Sequence, residues 1–192
     1  MDKRFISIRE EDIIMEVFEA IKGRRSVRAF LQKPVPDSLL KKVLESATYA
    51  PSAGNIQPWE FIIVREQRTK ERLAEAALGQ YFIAEAPVVI VVCANQKLSG
   101  RGYGLRGSTL YCIQDTAAAI QNILLSVYAL GLGACWVGAF REDAVKVVLN
   151  IPEGVRPVAI IPVGWPAEKP RMPRKRPLSS VVHYETYGSK SP

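Results

Sequence analysis

The sequence predicts an α+β fold in which a central mixed β-sheet is flanked by helices on both faces, within a single domain that spans residues 1–192. Its 192 residues are 48% hydrophobic and 23% charged, which is ordinary for a globular domain with a sizeable core. Segments with helical spacing alternate with short apolar runs, without a strict repeat. Two of those runs are apolar at nearly every position, which is typical of strands buried on both faces.

The first third of the chain predicts two helices, a turn and a strand. Asp12 can cap a first helix that ends at Gly23, and a second helix is predicted from Asp37 to about Tyr49. The residues from Trp59 to Val64 then predict a strand. The apolar positions of the first helix are Ile13, Ile14, Val17, Phe18 and Ile21.

The remainder predicts two more strands and several helices. A long helix, about Thr109 to Leu130, has an apolar face broad enough to imply burial on several sides. The last 27 residues, after Trp165, are basic and proline-rich yet contain apolar residues, so they could wrap around a partner subunit. The other expected elements are a surface helix at Thr69–Ala77, a buried strand at Pro87–Ala94, a glycine-rich loop at 95–108, a strand or extended loop at Ala134–Phe140, a short helix at Asp143–Leu149 and a buried strand at Val158–Val163.

The net charge of +7 favours an anionic partner: nucleic acid, a membrane surface or a phosphorylated small molecule. One basic cluster, Arg24-Arg25-Ser26-Val27-Arg28, offers bidentate donors to phosphate, but cations after a helix C-terminus also complement its dipole. A second cluster lies between Lys169 and Pro177 and lacks the interleaved aromatic side chains that stack on bases. No nucleic-acid partner is therefore predicted.

Several other classes are disfavoured by residues that the chain lacks. The longest apolar run, Ala86–Ala94, is too short to span a bilayer, so we expect a cytoplasmic protein with no membrane association. The three cysteines are odd in number and lie in apolar sequence, which indicates buried thiols. With one histidine, His183, neither a conventional zinc site nor a Ser-His-Asp triad is favoured. No metal ligand and no catalytic side chain are predicted.

Three short motifs each allow a functional and a purely structural interpretation. The bend from Pro51 to Trp59 can cradle a flat, polar-edged ligand or simply end a helix and begin a strand. The segment Gly131–Gly138 suits either a close approach of the backbone to a ligand or close packing. Gly102–Gly107 matches a dinucleotide-binding pattern, but it lies several residues after the strand and lacks a suitably spaced acidic residue, so it is interpreted as a loop.

Taken in order, these motifs resemble the FMN-dependent nitroreductases over nearly the whole chain. The specific parts are Arg24-Arg25-Ser26-Val-Arg28 and Pro51-Ser52-Ala53-Gly54-Asn55-Ile-Gln57-Pro58-Trp59. Further matches lie in Arg106-Gly107, Gln114–Asn122, Gly131–Phe140 and Pro162-Val-Gly164.

The resemblance implies a nitroreductase-like homodimer whose two FMN sites lie at the subunit interface, with the C-terminal tail wrapping the partner subunit. The first arginine cluster and the tail would hold the FMN phosphate and pyrimidine edge, the bend would come from the partner to line the ring, and a backbone segment would lie near the flavin N5. The residues implied are Arg24, Arg25, Ser26, Arg28, Pro51, Ser52, Ala53, Asn55, Gln57, Val137, Gly138, Arg174 and Arg176.

By the same resemblance, FMN would take hydride from NADH or NADPH and then reduce a nitroaromatic, a quinone or a related small-molecule acceptor. Because the flavin carries this chemistry, a missing acid–base constellation agrees with it. The chain is short for the family, which leaves the substrate open. The alternatives are a dehalogenating or flavin-fragmenting enzyme, a protein that binds FMN without turnover and, from a different class, a basic nucleic-acid-binding module.

Overall fold

A four-stranded sheet with strand order β1-β2-β4-β3 lies at the centre of the fold. The computed structural model describes residues 15–190. All three ladders are antiparallel, and a single parallel bridge from Ser26 to Ala134 adds a short parallel contact at the β3 edge. The elements are α1 Val17–Gly23, α2 Asp37–Thr48, a 3₁₀ turn Ala53–Asn55, β1 Trp59–Val64, α3 Gln67–Ala76, α4 Phe82–Glu85, β2 Val88–Asn95, α5 Gln96–Arg106, a π-helical turn Gly107–Tyr111, α6 Cys112–Ala129, β3 Gly133–Ala134, α7 Glu142–Leu149, β4 Val155–Gly164 and a 3₁₀ turn Leu178–Ser180.

The central strand β2 divides the core into two layers. Successive side chains of a strand point to opposite faces, so Ile90 and Val92 pack with α2 and α6, whereas Val89 and Val91 pack with α3, α4 and α7. All four side chains are fully buried. Helices therefore cover both faces of the sheet, and the predicted fold class is confirmed.

The predicted glycine-rich loop at 95–108 is wrong, because most of it is helical. Asn95 caps α5 by accepting a hydrogen bond at Oδ1 from the Leu98 amide at 3.0 Å. Glycines that look like loop signals instead allow close packing: a Cβ on Gly102 would lie 2.6 Å from Ile56 Cδ1. The helix breaks only at Tyr103 and Gly104, where Gly104 has a φ of +55°.

The first helix begins at Val17, and Glu16 caps it. Glu16 Oε2 accepts hydrogen bonds from the amides of Phe18 at 2.7 Å and Glu19 at 3.2 Å. The predicted cap Asp12 and the apolar residues Ile13 and Ile14 lie outside the described residues.

The start of the tail is fixed against the segment that follows α1. Leu31 N donates to Trp165 O and Ala167 N donates to Ala29 O, each at 2.9 Å. The Trp165 indole donates to Pro34 O at 3.1 Å, and the ammonium of Lys33 lies 4.1 Å from its ring centroid. These contacts orient the chain as it leaves β4. Whether the later tail wraps a partner subunit stays a prediction.

Candidate functional site

A cationic cavity lies where α1 ends and the chain turns toward the sheet. The segment Arg24–Arg28 is held at the sheet edge because Val27 N donates to Ala134 O at 3.0 Å. The cavity has a volume of about 520 Å³, and six of its lining residues are cations while none is acidic. Such a wall favours an anionic ligand. It is lined by Ile21, Lys22, Arg24, Arg25, Ser26, Arg28, Pro170, Arg171, Met172, Pro173 and Lys175.

The three arginines of this segment have different surroundings. Arg25 folds back on α1, where its Nη1 donates to the carbonyls of Lys22 at 2.7 Å, Gly23 at 3.0 Å and Arg24 at 2.8 Å. Its guanidinium therefore caps the helix C-terminus, as the structural alternative for this cluster predicted. Arg24 and Arg28 have no comparable carbonyl contacts in the described part of the chain, so their donors remain available to the cavity.

Glu168 fixes the backbone beneath Arg28. Its Oε1 accepts from the amides of Arg28 at 2.5 Å and Ala29 at 3.1 Å. Charge-assisted bonds of this kind are stronger than neutral ones, so the carboxylate orients both amides. The pattern of the sequence did not single out Glu168, because it lies 140 residues from Arg28 along the chain.

The segment after β3 lies beside the arginines. Burial raises the pKa of the Cys135 thiol, while the charge of Arg28 and a hydrogen bond with the Ser26 side chain oppose that shift. Two residues further on, Val137 is paired with Ile160 through bonds of 2.9 and 3.0 Å. The Val137 amide is therefore occupied, and the exposed Gly138 has an amide with no partner among residues 15–190. Of the two backbone donors predicted here, only Gly138 is available.

The tail contributes different cations from those predicted. Arg171 and Lys175 line the cavity, whereas Arg174 and Arg176 do not. Arg176 Nη2 instead donates to Ser180 O at 3.3 Å, within the tail itself. The basic run was visible in the sequence, but which of its side chains point toward the arginine segment depends on the path of the backbone.

The bend predicted to cradle a ligand is a compact turn in which three of four successive residues have left-handed backbone conformations. Gly54, Asn55 and Gln57 have φ values of +56°, +55° and +55°. Ser52 Oγ accepts from the Gln57 amide at 3.0 Å, and Gln57 Nε2 donates to Asn55 Oδ1 at 3.1 Å. The side chains of the bend thus stabilise their own strained backbone. Pro51 precedes this network.

Asp115 of α6 is bonded to the backbone of the bend. Its Oδ1 accepts from the Ala53 amide at 3.1 Å. The side chain is buried, and its Oδ2 has no partner among the described residues. Burial raises the pKa of this carboxyl, and the bond from Ala53 opposes the shift. Asp115 lies within the Gln114–Asn122 match to the family, but the sequence predicted no role for it.

The bend and the cationic cavity lie near opposite ends of α6. Asp115, in the first turn of the helix, holds the bend, whereas Leu124 and Tyr128 line a second cavity of about 330 Å³ with Arg24 and Arg25. Asp115 and Tyr128 are thirteen residues apart, which corresponds to about 20 Å along a helix. One chain therefore does not bring the two predicted halves of the site together.

A sequence profile described as the Nitroreductase family matches residues 21–82 and 76–165, which include the arginine segment, the bend and the segment after β3. The chain belongs to the Nitroreductase family. The family predicted from the motifs is thus confirmed, and with it the expectation that the protein is an oxidoreductase.

The relatives share the fold, and this chain covers about three quarters or more of the length of those compared below. A protein of Methanothermobacter thermautotrophicus, whose name pairs NADH dehydrogenase with NAD(P)H nitroreductase, is 39% identical over 81% of this chain and 80% of its own length. The FMN reductase [NAD(P)H] of Bacillus subtilis is 29% identical over 90% of this chain and 74% of its own. The solved structure of B. megaterium NfrA2 has a TM-score of 0.84 at 27% identity, covering 91% of this chain and 76% of that one.

The described residues contain neither a candidate membrane span nor a candidate metal cluster. Within residues 15–190, no helix is long and apolar enough to cross a membrane. The same residues contain no group of three or more His, Cys, Asp or Glu side chains arranged to hold a metal ion. All three cysteines, Cys93, Cys112 and Cys135, are buried and free of disulfides.

Proposed function

We propose that this nitroreductase is an FMN-dependent NAD(P)H oxidoreductase that reduces nitroaromatic, quinone or related small-molecule acceptors in two successive steps. The observation that carries the proposal is the cavity with six cations and no acid. The Gly138 amide, on the segment that follows β3, adds a donor without a partner among the described residues. FMN combines a phosphate with a flat ring that has polar edges, so it matches both features. The name of the Bacillus subtilis relative, FMN reductase [NAD(P)H], supports the same cofactor and reductant.

The residues present fit the phosphate end of FMN. Arg24 and Arg28 offer free guanidinium donors, Ser26 adds a hydroxyl, and Arg171 and Lys175 close the cavity from the tail. Arg25 supports this wall by capping α1. Arg174 and Arg176, predicted from the resemblance, do not line this cavity, and their contact with the phosphate stays a prediction.

The ring end of FMN fits the two backbone segments predicted for it. The Gly138 amide is an unpaired donor on an exposed stretch, which suits a position near the flavin N5. Pro51, Ser52, Ala53, Asn55 and Gln57 form a rigid turn with polar edges. Bound FMN would supply the redox chemistry by taking a hydride from NADH or NADPH and passing two electrons to the acceptor.

The separation along α6 favours a site shared between two chains. If two copies of α6 lie antiparallel, the bend of one copy meets the arginine end of the other, and the distance of about 20 Å within one chain is removed. Val17, Phe18 and Ile21 leave α1 with an exposed apolar face, which a partner would cover. We therefore propose a homodimer with two equivalent sites. Its cytoplasmic location remains a prediction.

The first test is reconstitution with FMN, followed by anaerobic addition of NADH and then NADPH. Bleaching of the bound-flavin absorbance, restored by a nitroaromatic or a quinone, is expected. Failure to bind FMN would contradict the proposal and favour the nucleic-acid-binding alternative. Binding without bleaching would indicate a flavin-binding protein with another role.

The second test compares FMN binding by variants at a cavity arginine and at a surface arginine. Arg28→Ala should weaken FMN binding about tenfold, because it removes a charge-assisted contact with phosphate. Arg68→Ala makes the same charge change on the exposed surface of α3 and should leave FMN binding unchanged.

The third test is of the proposed homodimer. Light scattering of the reconstituted protein should give twice the 21.3 kDa chain mass.

A further inference from the structure

Helix α5, which occupies most of the segment predicted as a loop, packs directly on the bend Pro51–Trp59. A Cβ on Gly54 would lie 2.5 Å from Tyr103 Oη, and a Cβ on Gly102 would lie 2.6 Å from Ile56 Cδ1. Each segment thus presents a glycine to a side chain of the other. Because Gly54 also has a φ of +56°, no other residue fits this contact without strain. The position of Tyr103 relative to the bend is therefore fixed by packing.

Tyr103 belongs to a cluster of two aromatic rings and a cation. The rings of Tyr103 and Tyr111 meet edge to face, with centroids 5.3 Å apart. The guanidinium carbon of Arg106 lies 5.3 Å from the Tyr111 ring centroid, and Arg106 Nε donates to Tyr111 Oη at 3.0 Å. The π-helical turn between Arg106 and Tyr111 brings these side chains together.

The charge of Arg106 is not neutralised locally. Within residues 15–190, no carboxylate forms an ion pair with it, and its hydrogen bond to Tyr111 uses only Nε. Its side chain is exposed, as are Tyr103 and the neighbouring Leu105. The Nη donors are thus held next to the Tyr111 ring, which packs against Tyr103, and remain open to an approaching anion.

We propose that Tyr103, Arg106 and Tyr111 recognise the acceptor, and that they favour aromatic acceptors that carry a carboxylate or a comparable anionic group. The inference rests on the proposed function, in which the bend lines the flavin ring and the cluster therefore borders the place where the acceptor lies. The tyrosine rings provide apolar and edge contacts for an aromatic ring, and Arg106 binds its anionic substituent. Arg106 and Tyr111 take no part in the electron transfer.

The test compares two acceptors of nearly equal shape, 4-nitrobenzoate and 4-nitrobenzamide, with the FMN-loaded full-length protein. We expect kcat/KM to be about fivefold higher for the benzoate at low salt, the size of a good exposed ion pair. Arg106→Gln should abolish that preference while leaving turnover of the benzamide within about twofold. Tyr111→Phe keeps the ring but removes the oxygen that orients Arg106, so it should lose part of the preference.

Two controls make the result specific to this cluster. Arg68→Gln removes the same charge from α3 and should retain the wild-type preference for the benzoate. Raising the salt concentration to 1 M should weaken that preference in the wild-type protein, because exposed charges are screened.

The inference is overturned if Arg106→Gln lowers kcat/KM equally for both acceptors, or if the wild-type protein has no charge preference. It is also overturned if the variant changes only the KM for NADPH, since Arg106 would then bind the reductant. These outcomes are separate from a failure of the proposed function, in which the wild-type protein would neither bind FMN nor reduce the neutral benzamide.

Discussion

Replacing Asp115 with asparagine should stabilise this protein at neutral pH, although the aspartate holds the bend. Asp115 is only 7% exposed, and one of its oxygens accepts from Ala53 N at 3.1 Å while the other has no partner in the described residues. Asparagine keeps the accepting Oδ1 and removes a buried charge that is only half satisfied. An unpartnered buried group costs more when it is charged than when it is neutral, so replacing the charged oxygen with an uncharged amide nitrogen should gain about 1 kcal/mol above the folded-state pKa of Asp115.

The pH dependence follows from the direction of the pKa shift. Burial raises the folded-state pKa of Asp115 above its usual 3.8, so the folded protein binds more protons than the unfolded chain between those two pKa values. Its contribution to stability therefore falls as the pH rises through that window, and the penalty is fully present above the folded-state pKa. The advantage of Asp115→Asn should shrink as the pH falls toward 3.8.

The assay is urea unfolding followed by tryptophan fluorescence between pH 4 and 8, at a fixed protein concentration. Asp115→Ala should lose about 1–2 kcal/mol because the Ala53 amide loses its acceptor. Asp143→Asn, at a fully exposed carboxylate of α7, serves as the control and should change stability by less than about 0.5 kcal/mol. An Asp115→Asn protein less stable than wild type at pH 7 would refute the reasoning, since the second oxygen would then need its charge.

Three further predictions test other parts of the structure. Glu142→Gln should cost less than about 1 kcal/mol at pH 7 in urea unfolding, because Arg156 pairs with it in a half-exposed position. Since the hydrogen bond from Arg156 lowers the pKa of Glu142 below 4.5, this difference should disappear as the pH falls through that lowered value. Gly133→Ala should lower stability by about 1–3 kcal/mol, because its Cβ would lie 2.9 Å from three carbons of Val27; an unchanged unfolding midpoint would show that the edge is loosely packed. Arg25→Ala should lower thermal stability more than Arg28→Ala and weaken FMN binding less, with the reverse order contradicting its role as a helix cap.

Much of the secondary structure could be predicted because its signals are local. The strand Trp59–Val64 has the predicted bounds, and α2 begins at the predicted Asp37. The continuous apolar run in β2 indicated burial on both faces, and its alternate side chains do enter separate core layers. Glycines misled the prediction between residues 95 and 108, because a glycine that permits close helix packing looks the same in sequence as one that forms a loop.

The sequence by itself determined the family and the fold class and predicted two segments of candidate site residues, since these depend on residue types at fixed spacing. The tertiary structure decided which cations face the cavity. Arg25 caps α1 while Arg24 and Arg28 remain available, and the tail presents Arg171 and Lys175. It also placed Asp115 under the bend and the bend about 20 Å along α6 from the arginines. Side-chain direction and the meeting of distant segments arise from packing across the whole fold, which no local pattern records.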